Sequence, residues 1–446
     1  MIGLHLVNRN QPLFNFESSR VQVSPSVSAD LLLPADRQQE LRDGGTWAEL
    51  FPPTALQNRS EIAAVVLWWL FLLALGWLIY PLLHKALPGL RDFGYPFARV
   101  AGLLLLSYPV WLLGSLQLPV TRGLIALVLG GLALISIAVA WGNRRSFGEH
   151  LRQRRRYFFQ IELIALVAFM AFLLVRWGNP DLWHVYFGGE KPMDFSYFNA
   201  VLKSETFPPY DPWFAGGVMN YYYYGFVLVG IPVKLLGITP AVAYNLILPS
   251  LFSLVFMGAF SIGWNLNQKR PWIAGIGAGL AIVVFGNLGA VRMVWDGWQK
   301  LVAPETVITS ATFFEKIQLA FAGASRWIQG AALPYFPGDW YWIPSRAVIP
   351  APNYEITEFP LFSFLYADPH AHLISLSITL LVIAWSLSAV LCRAQWGNIP
   401  QSIWALALGA LAVGILRAAN SWDHPTYLIF SSQMDRTKTN TPQCTR

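Results

Sequence analysis

Long apolar runs recur along the sequence, and they limit what the chain can fold into more than any other feature. The first run, VVLWWLFLLALGWLIY, begins at Val65. A helix needs about 20 apolar residues to cross the hydrocarbon core of a bilayer. About nine segments approach or exceed this length: 62–83, 100–117, 121–142, 157–178, 221–237, 240–264, 271–292, 371–392 and 400–418. The pattern predicts an all-α, polytopic transmembrane helix bundle.

Composition supports a membrane protein and argues against a nucleic-acid partner. Hydrophobic residues make up 55% of the chain and charged residues 12%, about half the charged share of ordinary soluble domains. The net charge is +7, but the densest basic run, in residues 144–156, lies between two predicted spans. We therefore expect a multi-pass protein of the cell membrane, with lipids as its partners and no nucleic acid.

Basic loops predict which way the chain crosses the membrane. Loops that carry Lys and Arg mark the cytoplasmic side, and residues 84–99 and 143–156 have this character. Placing both loops in the cytoplasm puts the loop 179–220 on the outer face.

The number of predicted spans does not agree with the sides of the membrane expected for the later loops. If every segment crosses, the loop 293–370 falls inside, although its many Trp, Tyr and Pro residues are typical of an outer-face loop. The segment 271–292 contains five glycines and Asn287, which favour a broken or re-entrant helix. We predict that this segment does not cross simply, a choice that leaves Lys269 and Arg270 outside.

Changes in composition divide the chain into three parts. Residues 1–60 hold no apolar period for long and predict an extramembrane N-terminal arm. Residues 61–430 form the predicted transmembrane domain, with outer loops at about 179–220 and 293–370. The polar residues 431–446 predict a disordered tail, and a truncated end is the alternative explanation of this abrupt change.

Each outer loop contains a predicted amphipathic surface helix. In the second loop, residues 309–333 carry an apolar stripe and are expected to begin at Thr309 or Ser310 as N-cap. In the first loop, a short helix is expected from Asp194 to Ser204, with Asp194 in the N-cap position.

Three carboxylates in the first outer loop are candidate site residues. Glu190 follows a Gly-Gly pair, and no local backbone role requires it. Helix capping is the alternative role for Asp194. Asp211 lies between two prolines, where an Asx-turn would also use it. Lys191 is expected to be a surface partner of Glu190.

Four successive tyrosines, Tyr221 to Tyr224, open the next apolar segment. An aromatic belt at the membrane interface is one explanation. Four in a row surround the helix, however, so some must face the bundle, where their hydroxyls need partners. Because aromatic faces also suit sugar rings, Tyr221, Tyr222 and Tyr223 are candidate substrate-binding residues.

A second constellation precedes the segment 371–392. In an extended segment, Asp368, His370 and His372 would share one face, whereas on a helix only Asp368 and His372 would. Such a group could bind a divalent metal, or a phosphate with the histidines protonated. A capping Asp with interfacial histidines is the alternative. Arg346 is a candidate phosphate ligand, and Glu358 is a candidate substrate-binding residue.

The motifs that carry these residues resemble those of a known family. They are GGEKPMDF from Gly188, FPPYDPWFAGG from Phe207 followed by Asn220 and the tyrosines, Ser345-Arg346, EFP from Glu358, ADPHAH from Ala367 and NSWD from Asn420. This set resembles the YYY-motif membrane proteins of archaea and green non-sulfur bacteria, a domain of unknown function. The likeness covers roughly residues 65–430.

Members of that family are similar to GT-C glycosyltransferases, multi-pass enzymes that use lipid-phosphate-linked sugars at the outer face. The resemblance implies that Glu190 or Asp194 is the catalytic or acceptor-positioning carboxylate. It implies a polyprenyl-phosphate sugar as donor, transferred with inversion or retention. The Asp368–His372 motif and Arg346 would then neutralise the leaving phosphate, directly or through a metal.

Two other functions fit the same sequence. A non-enzymatic transporter, or a lipid- or glycan-binding membrane protein, is the main alternative. A transporter would hold ionisable groups near the bilayer midplane, whereas most carboxylates and histidines of this chain lie in loops. A scaffold that binds a partner through its aromatic loops is the third. The enzymatic function requires both constellations to meet on one face.

Overall fold

The computed structural model describes residues 35–36, 39, 47–182, 189–346, 356–391 and 399–434, and their regular secondary structure is helical. The helices, in chain order, are α1 (Trp47–Leu50), α2 (Leu56–Arg59), α3 (Glu61–Ala86), α4 (Ala98–Ser115), α5 (Arg122–Gly142), α6 (Arg144–Gln153), α7 (Arg155–Gly178), α8 (Lys191–Lys203), α9 (Tyr224–Leu236), α10 (Pro240–Leu266), α11 (Pro271–Leu280), α12 (Gly289–Lys300), α13 (Glu305–Ser310), α14 (Phe313–Ile328), α15 (Asp339–Trp342), α16 (Pro360–Tyr366), α17 (Ala371–Leu391), α18 (Ile399–Ala419) and α19 (Asp423–Met434).

Six of these helices are long and apolar enough to cross a membrane: α3, α4 with the turn before it, α5, α7, α10 and α17. The pair α11 and α12 makes a seventh candidate if its two bent parts count as one span. Helix α9 and the apolar part of α18 are shorter. All nine predicted apolar segments are therefore helical, and the predicted all-α polytopic bundle is confirmed.

Helix α10 lies at the centre of the bundle. Within its most apolar stretch 89% of residues are buried, against 11% for α5 at the periphery. Helix α11 packs closely on α10 because glycines face aromatic rings. A Cβ at Gly275 or Gly279 would lie 2.7 Å from the ring of Phe260 or Phe256, respectively. The two helices can therefore approach only without side chains at these positions.

Contacts between loops define one end of the bundle, which we call the basic end. The backbone N–H of Arg91 donates to Asn265, close to the last residue of α10 (2.7 Å). The N–H of Gly89 donates to Ser388 near the end of α17 (3.0 Å). Arg154 in the Arg-rich loop donates to the carbonyl of Arg91. The two basic loops thus meet where α10 and α17 end.

A second set of contacts defines the opposite end. The N–H of Thr239, just before α10, donates to the Asn58 side chain just before α3 (2.9 Å). Arg122, the first residue of α5, donates to the carbonyl of Lys234 in the last turn of α9 (2.9 Å). The starts of α3, α5 and α10 and the end of α9 therefore lie together, away from the basic loops.

Helix α9 does not cross the bundle. Its first residue, Tyr224, shares a hydrogen bond with Ser107 in the middle of α4 (2.9 Å between hydroxyl oxygens). Its last turn reaches the opposite end, where Lys234 Nζ donates to the carbonyl of Ser204 after α8 (3.0 Å). The predicted segment 221–237 therefore begins inside the bundle and returns to the end from which the chain entered.

The expectation that Lys269 and Arg270 lie outside is consequently wrong. Because α9 does not cross, α10 runs towards the basic end, and these two residues follow it there. The predicted break after α11 is confirmed. A π-helical turn at Ala281–Phe285 ends the first part, and the two parts meet at 69°. The described parts of the loop 293–370 precede α17 and lie at the end opposite the basic loops.

The predicted surface helix at 309–333 is α14, and it begins later than predicted. Thr312 is its N-cap and forms a capping box with Glu315, while Thr309 and Ser310 belong to α13. Ser and Thr recur through this stretch, so the sequence alone does not distinguish Thr312 from Thr309 or Ser310 as the N-cap. Several large apolar residues of α14 are exposed: Phe313, Phe314, Phe321 and Ile328.

The part of the N-terminal arm next to α3 packs on the bundle. Leu50 and Phe51 are buried, and the Gln57 side chain donates to the carbonyl of Leu236 (3.0 Å). The rest of the predicted arm lies mostly outside the described residues. Of the predicted tail 431–446, residues 431–434 continue α19 as helix, and the remainder lies outside the described residues.

The topology predicts opposite labelling of two exposed positions. In a cysteine-free background, Gln268→Cys, between α10 and α11, should be protected from a membrane-impermeant thiol reagent in intact cells. Thr306→Cys, in α13, should be labelled. Ser146→Cys in the Arg-rich loop is the control and should match Gln268→Cys. Labelling of Gln268→Cys without lysis would contradict the assignment of α9 as a helix that does not cross.

Candidate functional site

The imidazole of His370 joins three carboxylates from two segments that are distant in sequence. Its Nδ1 lies 3.2 Å from Asp194 Oδ2 and 3.3 Å from Glu190 Oε2. Its Nε2 lies 3.7 Å from Asp368 Oδ2. Asp194, Asp368 and His370 are buried, whereas the Glu190 side chain is 60% exposed. The two predicted constellations therefore meet, and we call these four residues the acidic cluster.

A glycine lets the two chain segments approach each other. Gly189 has a left-handed backbone (φ +60°), and a Cβ there would lie 2.2 Å from Tyr366 Cε1 and 2.4 Å from Asp368 Oδ2. The next residue, Glu190, donates its N–H to Asp368 Oδ2 (3.1 Å). A residue without a side chain is needed here for both the backbone conformation and the contact.

Asp194 is not a helix cap, which corrects the alternative considered from sequence. Helix α8 begins at Lys191, with Glu190 at the N-cap position and Asp194 in the first turn. Its N–H donates to the carbonyl of Glu190 (2.9 Å). The first turn of a helix favours negative charge, and the side chain is directed at His370. Neither Asp194 carboxylate oxygen has an aligned hydrogen-bond donor among the described residues.

The Asp-x-His-x-His motif is divided by the start of α17. Asp368 and His370 precede the helix, and His372 is its second residue. Ala367 turns the chain in a left-handed conformation (φ +63°), and its carbonyl accepts from the Tyr244 hydroxyl (3.2 Å). The three side chains do not form a single triad, because His372 is directed at a different carboxylate.

That carboxylate is Glu358. Its Oε2 lies 3.0 Å from His372 Nε2 and accepts from Ser363 Oγ (2.8 Å). The rings of His372 and His370 are 5.4 Å apart between centroids. Both His372 and Glu358 are partly exposed, at 44% and 33% of their side chains. A solvent-accessible His–Glu pair therefore borders the acidic cluster.

Three tyrosines form an aromatic wall. The ring of Tyr221 lies 5.3 Å from that of Tyr197 in α8 and 5.3 Å from that of Tyr222. The Tyr222 hydroxyl accepts from Ser421 Oγ, between α18 and α19 (2.9 Å). Tyr197, Tyr221 and Tyr222, named here the tyrosine wall, thus connect the first outer loop to the last span.

The other two tyrosines are bonded inside the bundle. The Tyr223 hydroxyl accepts from Trp111 Nε1 in α4 (3.2 Å), and Tyr224 is 1% exposed. Their hydroxyls bond to protein groups, so an interfacial aromatic belt does not describe this run.

Electrostatics link the wall to the cluster. Burial, followed by the negative charges of Asp194 and Glu190, raises the pKa of Tyr221 to about 12. Tyr197 of the wall follows Asp194 by three residues in α8, which places the two side chains on the same face of that helix. The tyrosine wall therefore borders the acidic cluster.

The cluster holds a protonated imidazole among carboxylates. Burial alone would lower the pKa of His370, but the contact with Asp194 and the charges of Asp368 and Glu190 outweigh it and raise the pKa to about 9. Burial raises the pKa of Asp368 to about 7, against the opposing charge of His370, and also raises the pKa of Asp194.

The neighbouring pair behaves differently. Burial favours a higher pKa for Glu358, but hydrogen bonds from His372 and Ser363 outweigh it and lower the pKa below its usual range. Glu358 is therefore an ionised carboxylate, whereas the buried carboxyl of Asp368 titrates near neutral pH.

Two predicted site residues make local contacts. Asp211 Oδ1 accepts from the N–H of Trp213 (2.8 Å), which confirms the Asx-turn considered as its alternative role. The Arg346 guanidinium lies 4.2 Å from the centre of the Trp342 ring. A substrate-binding role for either residue stays a prediction.

Sequence reasoning missed Lys191 and Asp423. Lys191 is buried, 3.4 Å from Asp181 Oδ2, and not the expected surface partner of Glu190. Asp423 accepts from Ser375 Oγ in α17 (2.7 Å) and from Asn420 (3.0 Å). The sequence signal for Asp423 was its place in a polar cluster directly after an apolar span.

Throughout the described ranges, no group of three or more His, Cys, Asp or Glu side chains has a geometry that could hold a metal ion. Within the acidic cluster the contact distances agree with this finding, because both ring nitrogens of His370 face carboxylates. The imidazole acts there as an ion-pair partner of Asp194, Glu190 and Asp368, and not as a co-ligand beside them.

A family model described as Uncharacterized membrane protein (DUF2298) matches residues 105–434 of the chain. The matched range includes the acidic cluster, the tyrosine wall and the His372–Glu358 pair. A search of curated proteins finds no match, and a search of solved structures finds none either.

Gly189→Ala should destabilise the fold more than Gly216→Ala. Both glycines have left-handed backbones (φ +60° and +77°), but only at Gly189 would a Cβ meet other atoms. Backbone strain of about 1–3 kcal/mol is common to both, so the difference reports the contact with Tyr366 and Asp368. Thermal unfolding in detergent measures it, and equal melting temperatures would contradict the close approach.

The charged state of His370 predicts a pH dependence of stability. Its pKa is raised from 6.5 to about 9, so its stabilisation is complete below pH 6.5 and lost as the pH rises through 9. Asp368, whose pKa is raised from 3.8 to about 7, is half ionised at pH 7, so its own effect on stability lies mainly below that pH. Between about pH 7 and 9 the melting temperature should fall, and His370→Gln should flatten this slope. An unchanged slope would contradict the ion contact.

Proposed function

The chain belongs to the DUF2298 family of membrane proteins, and on that premise we propose that it is a GT-C-type glycosyltransferase. It would transfer a sugar from a polyprenyl-phosphate donor at the face opposite the basic loops. The observation that carries the proposal is the meeting of Glu190, Asp194 and His370 beside the tyrosine wall. Acid–base groups and a sugar-binding surface then lie in one place.

Glu190 is the proposed general base, because its side chain is the exposed carboxylate of the cluster. It takes the proton of the acceptor hydroxyl as the acceptor oxygen bonds to the anomeric carbon. The bond from that carbon to the phosphate oxygen breaks, and polyprenyl phosphate leaves with the electron pair. His370, in contact with both Glu190 and Asp194, holds the base in position.

The leaving phosphate requires positive charge. The His370 imidazolium supplies it through its electrostatic field, because both of its ring nitrogens face carboxylates, and such charge stabilises a developing phosphate anion in a sheltered site. Asp368 is assigned a positioning role, because it is buried and accepts the N–H of Glu190. Arg346 in the second outer loop is the further proposed phosphate ligand.

The tyrosine wall and Asp194 are proposed to bind the sugar. Ring faces pack against the apolar side of a sugar, and phenol hydroxyls hydrogen-bond at the ring edge. The buried oxygens of Asp194, which have no aligned donor in the described part of the chain, can accept from sugar hydroxyls. Buried polar groups are normally paired, so this pairing would complete the site.

We propose that the site lies in a recess at this end of the bundle, because the tyrosine run leads from it into the bundle. Tyr224 meets Ser107, eight residues before α4 ends at Ser115, which places the floor of the tyrosine run about 12 Å below that helix end. Such a recess shelters a reactive sugar phosphate from water.

The alternative function is a non-enzymatic transporter or a lipid- or glycan-binding protein. The specific observation in its favour is the Arg99–Glu162 ion pair between α4 and α7, since ionisable groups within spans often mark transport paths. This pair lies near the basic end, away from the acidic cluster.

Glu190→Gln should reduce sugar transfer by about 10²–10⁴-fold, because general base catalysis contributes that much. Asp194→Asn should also reduce transfer, because it removes the proposed sugar contact and the charge that holds His370. The assay measures labelled sugar transferred from a polyprenyl-phosphate donor by purified protein in lipid nanodiscs. Glu305→Gln, which removes an exposed carboxylate at the start of α13, is the control and should retain activity.

Full activity in both site variants would reject the catalytic assignment. Absence of transfer by the unmodified protein with a range of donors and acceptors, combined with binding of a lipid-linked sugar, would favour the alternative function.

A further inference from the structure

An elongated apolar cavity lies between α3, α4 and α18. Its volume is 860 Å³, and its lining is almost wholly apolar: Leu82, Leu83, Ala86, Leu105, Tyr108, Trp111, Trp404, Ala407, Leu408, Ala410, Leu411, Gly414, Ile415, Arg417 and Ala418. Along α18 the lining extends from Trp404 to Ala418, a length of about 21 Å at 1.5 Å per residue. The cavity is therefore a slot nearly as long as a span.

The two ends of the slot differ in chemistry. Near the basic end it is bounded by Leu82, Leu83 and Ala86, close to the last residues of α3. At the other end it reaches Arg417, the one charged residue among the described residues of the lining, three positions before Asn420. A single cation thus marks the end of the slot that lies beside the candidate site.

The slot and the site share a boundary. Trp111 lines the slot and donates to the hydroxyl of Tyr223. Tyr108 also lines the slot. One turn after Arg417, the side chain of Asn420 donates to Asp423, so the polar cluster after α18 begins where the slot ends. An amphiphile with its chain in the slot would therefore hold its head group next to the tyrosine wall.

We propose that this slot binds the apolar chain of the lipid-linked donor, and that Arg417 draws the lipid phosphate to the end of the slot beside the acidic cluster, where it leaves. The inference rests on the proposed function and names the site of its lipid substrate. A slot about 21 Å long with a cation at one end fits a lipid with a long apolar chain and a phosphate. Placing an apolar chain there removes its surface from water or competing lipid, and arginine matches phosphate geometry.

Gly414 offers a way to fill the slot without disturbing the helix. A Cβ at Gly414 would meet nothing within 4 Å, so Gly414→Leu places a side chain in the slot. Gly130→Leu is the matched control. Gly130 also has open space at its Cβ, but it lies on the peripheral helix α5, away from the slot.

The experiment measures binding of a long-chain polyprenyl phosphate, without sugar, to full-length protein in nanodiscs. We expect Gly414→Leu to weaken binding about tenfold or more and Gly130→Leu to bind like the unmodified protein. A diazirine-bearing polyprenyl phosphate should cross-link to α18. Arg417→Gln should weaken binding of the phosphate but not of the neutral polyprenol.

Equal binding by Gly414→Leu and Gly130→Leu would overturn the inference. So would equal competition by phosphatidylglycerol, which would show that ordinary bilayer lipid occupies the slot, or cross-links confined to other helices. Unchanged phosphate binding by Arg417→Gln would overturn the placement of the head group.

The binding assay separates this inference from the proposed function. Glu190→Gln and Asp194→Asn should bind the lipid normally, because neither residue lines the slot. If the lipid binds as expected and no sugar is transferred, the enzymatic function fails and the inference holds. If sugar is transferred and Gly414→Leu has no effect on binding or transfer, the inference fails alone.

Discussion

The arrangement of the site depends on one buried imidazolium. Asp194 is fully buried and Asp368 nearly so, and two carboxylates without a cation between them would repel each other and resist burial. His370 lies against both and also reaches the exposed Glu190. Removal of one partner from a buried ion group generally costs about 3–5 kcal/mol. The same contact therefore holds α8 to the start of α17 and sets the position of Glu190, the exposed carboxylate of the acidic cluster.

The return of α9 to the end of the bundle from which the chain entered determines where the His370 contact lies. A segment that enters a bundle and returns exposes irregular backbone, which must be satisfied by protein or water. Here Val120 donates to the Glu205 carbonyl (2.7 Å) and Phe207 to the Gly114 carbonyl (3.1 Å), so the ends of neighbouring spans pair with the returning chain. At about 1.5 Å per residue, the 13 residues of α9 form a helix shorter than the thickness of a bilayer. Because α9 does not cross the bundle, it leaves open the space that a full span would fill, and this space forms the proposed recess beside the tyrosine wall.

Much of the fold follows from the sequence, since apolar length and basic loops are direct physical signals. All nine segments are helical, and the break after α11 was visible in its glycines. Hydropathy cannot separate a crossing helix from one that returns, because Tyr224–Leu236 is as apolar as a span and only its contacts differ. For the same reason the sequence predicts Lys269 and Arg270 at the end of the bundle opposite the one where they lie. Helix capping is an alternative for Asp194 only if the helix begins after it, whereas α8 begins at Lys191-Pro192, and Pro suits the first helical turn. The partner of His370 lies 176 residues away, and no local pattern encodes such a contact.

Trp111 and Tyr223 lie at the boundary between the apolar slot and the polar recess. The indole of Trp111 faces an apolar slot on one side and donates to a phenol hydroxyl of the polar recess on the other. Tyr222 makes the corresponding bond to Ser421 at the end of α18, the helix that forms the far wall of the slot. A water-soluble substrate would need only the recess, and a plain lipid only the slot. A boundary built from amphipathic aromatic residues between the two is suited to a molecule with both parts, and this is the physical reason for treating recess and slot as one binding site.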